Sequence, residues 1–220
     1  MDPRTLDHVA FWVAGREPIA AFCERHLGMH RIAQEANFTL LGSDARRGKL
    51  TLFDAEGPRD QGLLEHVGLR VSDLAAARAA LPPGTPDVFE IGEGIFVTLV
   101  EAPTDVEYDL DHVALRSAAP EATAAEYLRY GFAPSGARRV EVGGAYVELH
   151  DGDPGGLERP LLNHLAVLVD SADEVIADAG ELEIEVESVV DAANTYAAFL
   201  RGPEGVRIEY VEHKPTFSLT

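Results

Sequence analysis

Apolar and polar residues alternate in four short segments of the chain: Leu6-Asp7-His8-Val9-Ala10, Leu64-Glu65-His66-Val67-Gly68, Leu110-Asp111-His112-Val113-Ala114-Leu115 and Leu162-Asn163-His164-Leu165-Ala166. A period of two sends successive side chains to opposite faces, so each segment predicts a half-buried β-strand with a histidine near its start. The histidines step by 58, 46 and 52 residues. A repeat of about 50 residues sets the architecture before any single side chain is considered.

The stretches behind these strands repeat as well. Helical patterns are predicted over 17–27, 72–80, 120–128 and 171–180. Ser72 and Ser171 are the candidate N-caps, Pro120 suits a first turn, and Gly28 and Gly131 are helix stops. Further strands are predicted over 38–41, 49–53, 88–91, 94–100, 137–142, 145–150, 183–190, 195–201 and 206–211. Each unit therefore reads as βαβββ and closes on a strand with a polar centre: Leu50-Thr51-Leu52, Val97-Thr98-Leu99, Val147-Glu148-Leu149 and Ile208-Glu209-Tyr210. The first two units pair a histidine with a threonine, the last two a histidine with a glutamate. One unit cannot cover its own sheet, so units are expected to pair. The polar stretch 102–108 reads as a linker, which gives an α+β chain of four βαβββ modules in two domains, 1–104 and 105–220.

Composition narrows the function classes. The 220 residues carry a formal net charge of −20 and are 46% hydrophobic. That supports a buried core and argues against nucleic acid or an anionic membrane surface as partner, since no cationic footprint is available. No apolar run approaches the roughly 20 residues of a membrane span. The first residues lack a basic-then-apolar leader, so cytoplasmic residence is the expectation. Cys23 is the one cysteine and sits in a helical apolar pattern, where packing is its expected role. A homo-oligomer is left open.

The histidine-bearing strand starts, together with Phe199-Leu200-Arg201-Gly202-Pro203-Glu204-Gly205-Val206-Arg207-Ile208-Glu209, resemble the vicinal-oxygen-chelate superfamily of glyoxalase I, bleomycin and fosfomycin resistance proteins and extradiol dioxygenases. The resemblance covers nearly the whole chain. It implies paired units forming a cup around a divalent metal, with ligands from the first and last strands of two units. Carried onto this sequence, the implied ligands are His112, Glu148, His164 and Glu209. Imidazoles and carboxylates suit one borderline divalent ion such as Fe, Mn, Ni, Co or Zn. Alternation puts Tyr146 and His150 on the face of Glu148, and Arg207 on the face of Glu209, as candidates to orient ligands or touch substrate. In the first half Thr51 and Thr98 replace the carboxylates, and two imidazoles alone make a poor divalent site, so that half is expected to be metal-free.

The resemblance implies a small-molecule substrate whose two adjacent oxygens chelate the metal. A glyoxalase- or epimerase-like lyase or isomerase fits the His-Glu-His-Glu set, with Glu148 and Glu209 as catalytic candidates moving a proton next to a carbonyl. The alternative is an Fe(II) extradiol dioxygenase acting on a catechol through His112, His164 and Glu209. Against it, Phe199 stands where that family has a tyrosine and Gly202 where it has an aspartate. Its expected histidine near residue 190 is missing, with Tyr196 a substitute. A third reading is a non-catalytic binding protein of the drug-resistance type. The proton-transfer reading is favoured on sequence.

Overall fold

The computed structural model describes residues 1–156 and 158–217. The first unit comprises β1 (Thr5–Val13), α1 (Arg16–His26), β2 (His30–Gln34), β3 (Phe38–Gly42) and β4 (Lys49–Asp54). The second comprises β5 (Leu64–Val71), α2 (Leu74–Ala79), β6 (Val88–Gly92) and β7 (Ile95–Glu101). The third comprises β8 (Asp109–Ser117), α3 (Pro120–Tyr127), β9 (Ala133–Gly136), β10 (Arg139–Val142) and β11 (Ala145–Asp151). The fourth comprises β12 (Leu162–Leu168), α4 (Ala172–Glu181), β13 (Val186–Asp191), β14 (Thr195–Arg201) and β15 (Arg207–His213). The second unit is thus βαββ, one strand short of the expectation. Its helix leads into a segment holding Pro82, Pro83 and Pro86, and prolines have no N–H to give to a ladder.

Local chemistry sets the helix ends. Ser171 Oγ accepts the Glu174 N–H at 3.2 Å to cap α4. At α2 the capping oxygen belongs to Asp73, one residue beyond the expected Ser72, accepting from the Ala76 N–H at 2.9 Å. Pro120 opens α3 where its missing N–H costs nothing. The turn after α3 ends on Gly131 at φ 84°, where a Cβ would lie 2.7 Å from the Met1 carbonyl oxygen, so only glycine fits.

The pairing of units differs from the sequence expectation and corrects it. One sheet has the order β13-β14-β15-β12-β1-β4-β3-β2, joining the fourth unit to the first. The other has the order β6-β7-β5-β8-β11-β10-β9, joining the second to the third. At each centre two first strands run antiparallel, β1 against β12 and β5 against β8. The 102–108 segment therefore links two strands of one sheet, and the expected division at residue 104 runs through that sheet. One contiguous apolar core holds side chains from both sheets, including Phe11, Val67, Val113 and Leu165. Among the described residues no helix is long and apolar enough to cross a membrane.

Candidate metal centre

The antiparallel pairing of β1 with β12 sets His8 against Ala166, and the parallel pairing of β12 with β15 sets Ala166 against Glu209. His8 and Glu209 thus occupy one row across the sheet, with only a methyl group between them. A β-bulge shifts the register of β1 between Leu6 and His8. Bulges of this kind re-aim side chains beside functional sites. His8 Nε2 and His164 Nε2 lie 3.0 Å apart, and Glu209 Oε2 is 3.1 Å from the first and 2.9 Å from the second. These three side chains can hold a metal ion. Thr51, on β4 next to β1, holds the place in its unit that Glu209 holds in the fourth. Its buried Oγ1 has no hydrogen-bond partner.

Both imidazoles are oriented through Nδ1, which leaves Nε2 facing the centre. His8 Nδ1 bonds Asp7 Oδ1 at 2.7 Å and His164 Nδ1 bonds Asn163 Oδ1 at 3.0 Å. Asn163 Oδ1 also accepts from Arg207 Nη1 at 3.1 Å. Asp7 is buried together with Lys49, whose Nζ lies 2.9 Å from Oδ1. Burial alone would push the Asp7 carboxyl up, but Lys49, His213 and His8 hold it well below the usual carboxylate range. For Glu209 burial is likewise outweighed, here by His164 and His8, and the carboxyl stays ionised.

The two histidines move in opposite directions. Burial pushes His164 down despite Glu209. Burial also opposes a charge on His8, yet hydrogen bonds to Asp7 and Glu209 raise it to about 9. The pair therefore retains one proton, on the imidazole that faces two carboxylates.

The centre lies in a cavity of about 740 Å³ with aromatic walls that include Trp12, Phe38, Phe53 and Phe199. Lys49, Arg207 and His213 add polar groups to the wall. The segment after His213 turns back over this cavity. Lys214 N–H bonds the Asn194 carbonyl at 2.9 Å, and the Phe217 ring stacks on His213 at 3.9 Å.

Of the residues singled out in the sequence, His164, Glu209 and Arg207 are gathered here, and His112, Glu148, Tyr146 and His150 lie on the other sheet. The expected ligand set is thus divided between two sheets because the units pair first with fourth. Tyr196 turns to α4, its hydroxyl donating to Asp173 Oδ1 at 3.0 Å. His8, Thr51, Asp7, Lys49 and His213 complete the centre. His8 and Thr51 were visible as members of the repeat but had been assigned to a metal-free half; Asp7, Lys49 and His213 carried no signal of their own. On the other sheet His66 Nε2 and His112 Nε2 stand 3.1 Å apart. Burial and the neighbouring His112 push His66 down, which favours its neutral form.

Other proteins share this fold. No family model matches the sequence, and no curated protein matches it. Among solved structures, a candidate dioxygenase from Bacillus subtilis superposes with a TM-score of 0.77 at 15% identity, over 97% of this chain and 86% of that one. Glyoxalase I from Zea mays gives 0.72 at 14% identity, over 94% and 92%. The cppA protein from Streptococcus pneumoniae gives 0.66 at 15%, over 96% and 100%. With its four repeated units closed into two mixed sheets, the chain has the double glyoxalase/dioxygenase-like fold of these structures.

Proposed function

We propose that the chain is a metal-dependent enzyme of the ring-cleaving oxygenase type, taking Fe(II) and a small substrate with two adjacent oxygens on an aromatic ring. One observation carries the reading: His8, His164 and Glu209 converge as two imidazoles and one carboxylate, with neutral Thr51 in the fourth place. Two histidines and one carboxylate on one side of an ion, with the remaining positions open, suit non-haem Fe(II) oxygen chemistry. A bound ion would supply a Lewis-acidic centre for the adjacent substrate oxygens.

The chain's own groups do the rest. Asp7 and Asn163 fix the ring orientations of His8 and His164. Trp12, Phe53 and Phe199 offer flat apolar faces that hold an aromatic ring and exclude water. Lys49 and Arg207 give the wall positive charge against Asp7 and Glu209. The proton-transfer reading loses its second carboxylate, since Thr51 stands in that place and Glu148 lies on the other sheet.

The test is oxygen uptake. Protein loaded anaerobically with Fe(II) is mixed with catechols in an oxygen-electrode cell, with ring opening followed as a yellow product. Uptake in wild type and its loss in His164→Ala are expected. Iron-loaded wild type that consumes no oxygen with any catechol, yet exchanges a substrate proton next to a carbonyl, would return the assignment to the lyase and isomerase class.

A further inference from the structure

Two rows of residues set the corners of the cup. His8, Ala166 and Glu209 form one row across β1, β12 and β15. Thr51, Ala10 and His164 form the other across β4, β1 and β12. In the first row two long side chains meet over Ala166, with His8 Nε2 and Glu209 Oε2 3.1 Å apart. In the second, Thr51 carries its oxygen directly on Cβ and stops short. Its Oγ1 finds no hydrogen-bond partner, although the residue is only 4% exposed and lines the cavity. Buried hydroxyls are nearly always paired, so an unpaired one on a cavity wall marks a place where a ligand atom fits.

The other sheet supplies the contrast. Its matching row is Thr98, Gly68 and His112. There the His112 ring lies over the glycine, since a Cβ at Gly68 would sit 2.2 Å from His112 Cε1, and Thr98 is only partly buried. Ala10 puts a methyl group where that ring lies, which keeps the space beside Thr51 clear.

Strand alternation gives the space a direction. Lys49, Thr51 and Phe53 face the cavity from β4 at every second residue, about 7 Å apart. The Lys49 end is closed: Nζ is held by Asp7 at 2.9 Å, and the Phe217 ring lies 5.5 Å from it. The Phe53 end is aromatic, with the Trp12 and Phe38 rings 5.6 and 5.5 Å from that of Phe53. A planar ring with an oxygen resting at Thr51 therefore extends toward Phe53 and away from Lys49.

We propose that Thr51 is the specificity-determining residue of this centre: its hydroxyl hydrogen-bonds one of the two adjacent oxygens of the substrate and turns the ring toward Phe53 and Trp12. The proposal rests on the catechol reading above. A hydroxyl both donates and accepts, so it serves a protonated or an ionised substrate oxygen. A ring without that oxygen leaves Oγ1 buried and unpaired, and the site rejects it on that account.

The test is binding of 4-nitrocatechol to Zn²⁺-loaded full-length protein, since Zn²⁺ has no redox chemistry and the bound ligand is not turned over. Trp12 is the one tryptophan and stands in the cavity wall, so quenching of its fluorescence reports occupancy. Thr51→Val keeps the shape and removes the hydroxyl. It should weaken 4-nitrocatechol binding ~5- to 150-fold, the worth of one buried hydroxyl partner. Thr51→Ser should restore most of that affinity. Zn²⁺ affinity, read by calorimetric titration, should be the same in all three proteins. The thermal midpoint of ion-free Thr51→Val should equal or exceed that of wild type, because no hydrogen bond within the protein is lost. Thr51→Val that binds 4-nitrocatechol as tightly as wild type overturns the proposal and leaves the catechol reading standing. A fall in Zn²⁺ affinity in Thr51→Val makes Thr51 a metal ligand and overturns it as well. Wild type that takes up Zn²⁺ but no 4-nitrocatechol overturns the catechol reading, and this proposal with it.

Discussion

Raising the pH of ion-free protein from 6.5 to 9.5 should destabilise it through His8. The His8 imidazole is raised from its ordinary 6.5 to about 9, because Asp7 and Glu209 hold its proton more strongly than burial opposes it. A group raised in the folded state contributes its full stability below the unfolded value, and that contribution is lost as pH rises through the folded one. The window is therefore 6.5 to about 9. At about 1.4 kcal/mol per pH unit the interval corresponds to roughly 3 kcal/mol. The lowered groups nearby act elsewhere: Asp7 and Glu209 remain ionised throughout the window, and His164 is neutral across it. Urea unfolding followed by far-UV circular dichroism reads the effect. With a urea dependence of about 1–3 kcal/mol per molar, the midpoint should fall by roughly 1–3 M between pH 6.5 and 9.5. His8→Gln should flatten that fall. The same proton competes with a cation for His8 Nε2, so divalent-ion affinity should rise about tenfold per pH unit across the window. A midpoint that holds steady or rises with pH in wild type refutes the assignment of the shared proton to His8.

Lys49→Met should cost about 3–5 kcal/mol in the same urea assay, because it leaves the buried Asp7 charge without its main partner; a loss below 1 kcal/mol would mean that His8 and His213 suffice. Glu209→Gln should abolish divalent-metal binding in a calorimetric titration of chelator-stripped protein, and retained binding would remove Glu209 from the ligand set. Glu148→Gln should leave oxygen uptake unchanged, since Glu148 lies on the other sheet; a fall of more than about tenfold would tie that sheet to the chemistry.

The α+β class and the repeating strand–helix–strand units were legible because each element has its own period and punctuation. Strand alternation, Ser171 at the start of α4, Pro120 in the first turn of α3 and Gly131 after it all say locally what the chain does there. The short second unit was less legible, since Val88-Phe89-Glu90-Ile91 reads as a strand but the proline-rich stretch before it removes the further strand the repeat implies. Trp12 was hidden in another way. Its large apolar ring is of the type that fills cores, but it shares the parity of His8 along β1 and lines the cavity.

The identity of the site depended on a question that local pattern does not answer. All four first strands have the same apolar–polar alternation with a histidine, so any one of them can pair with any other. The choice is made by connection. The short 102–108 segment returns β8 antiparallel beside β5, and that leaves the first strands of the outer two units to find each other. Pairing consecutive units would have given one cup with two histidines and two glutamates, and another with two histidines and two threonines. Pairing first with fourth and second with third gives each cup two histidines, one glutamate and one threonine. The two carboxylates are thereby shared out, one to each cup. A centre with a single carboxylate lacks the pair that proton shuttling between two glutamates would use, and it retains the set that suits Fe(II) with open positions. The Thr/Glu contrast visible in the sequence was thus the informative signal, and the topology of two strand pairs converts it from a statement about two halves of the chain into one about each site.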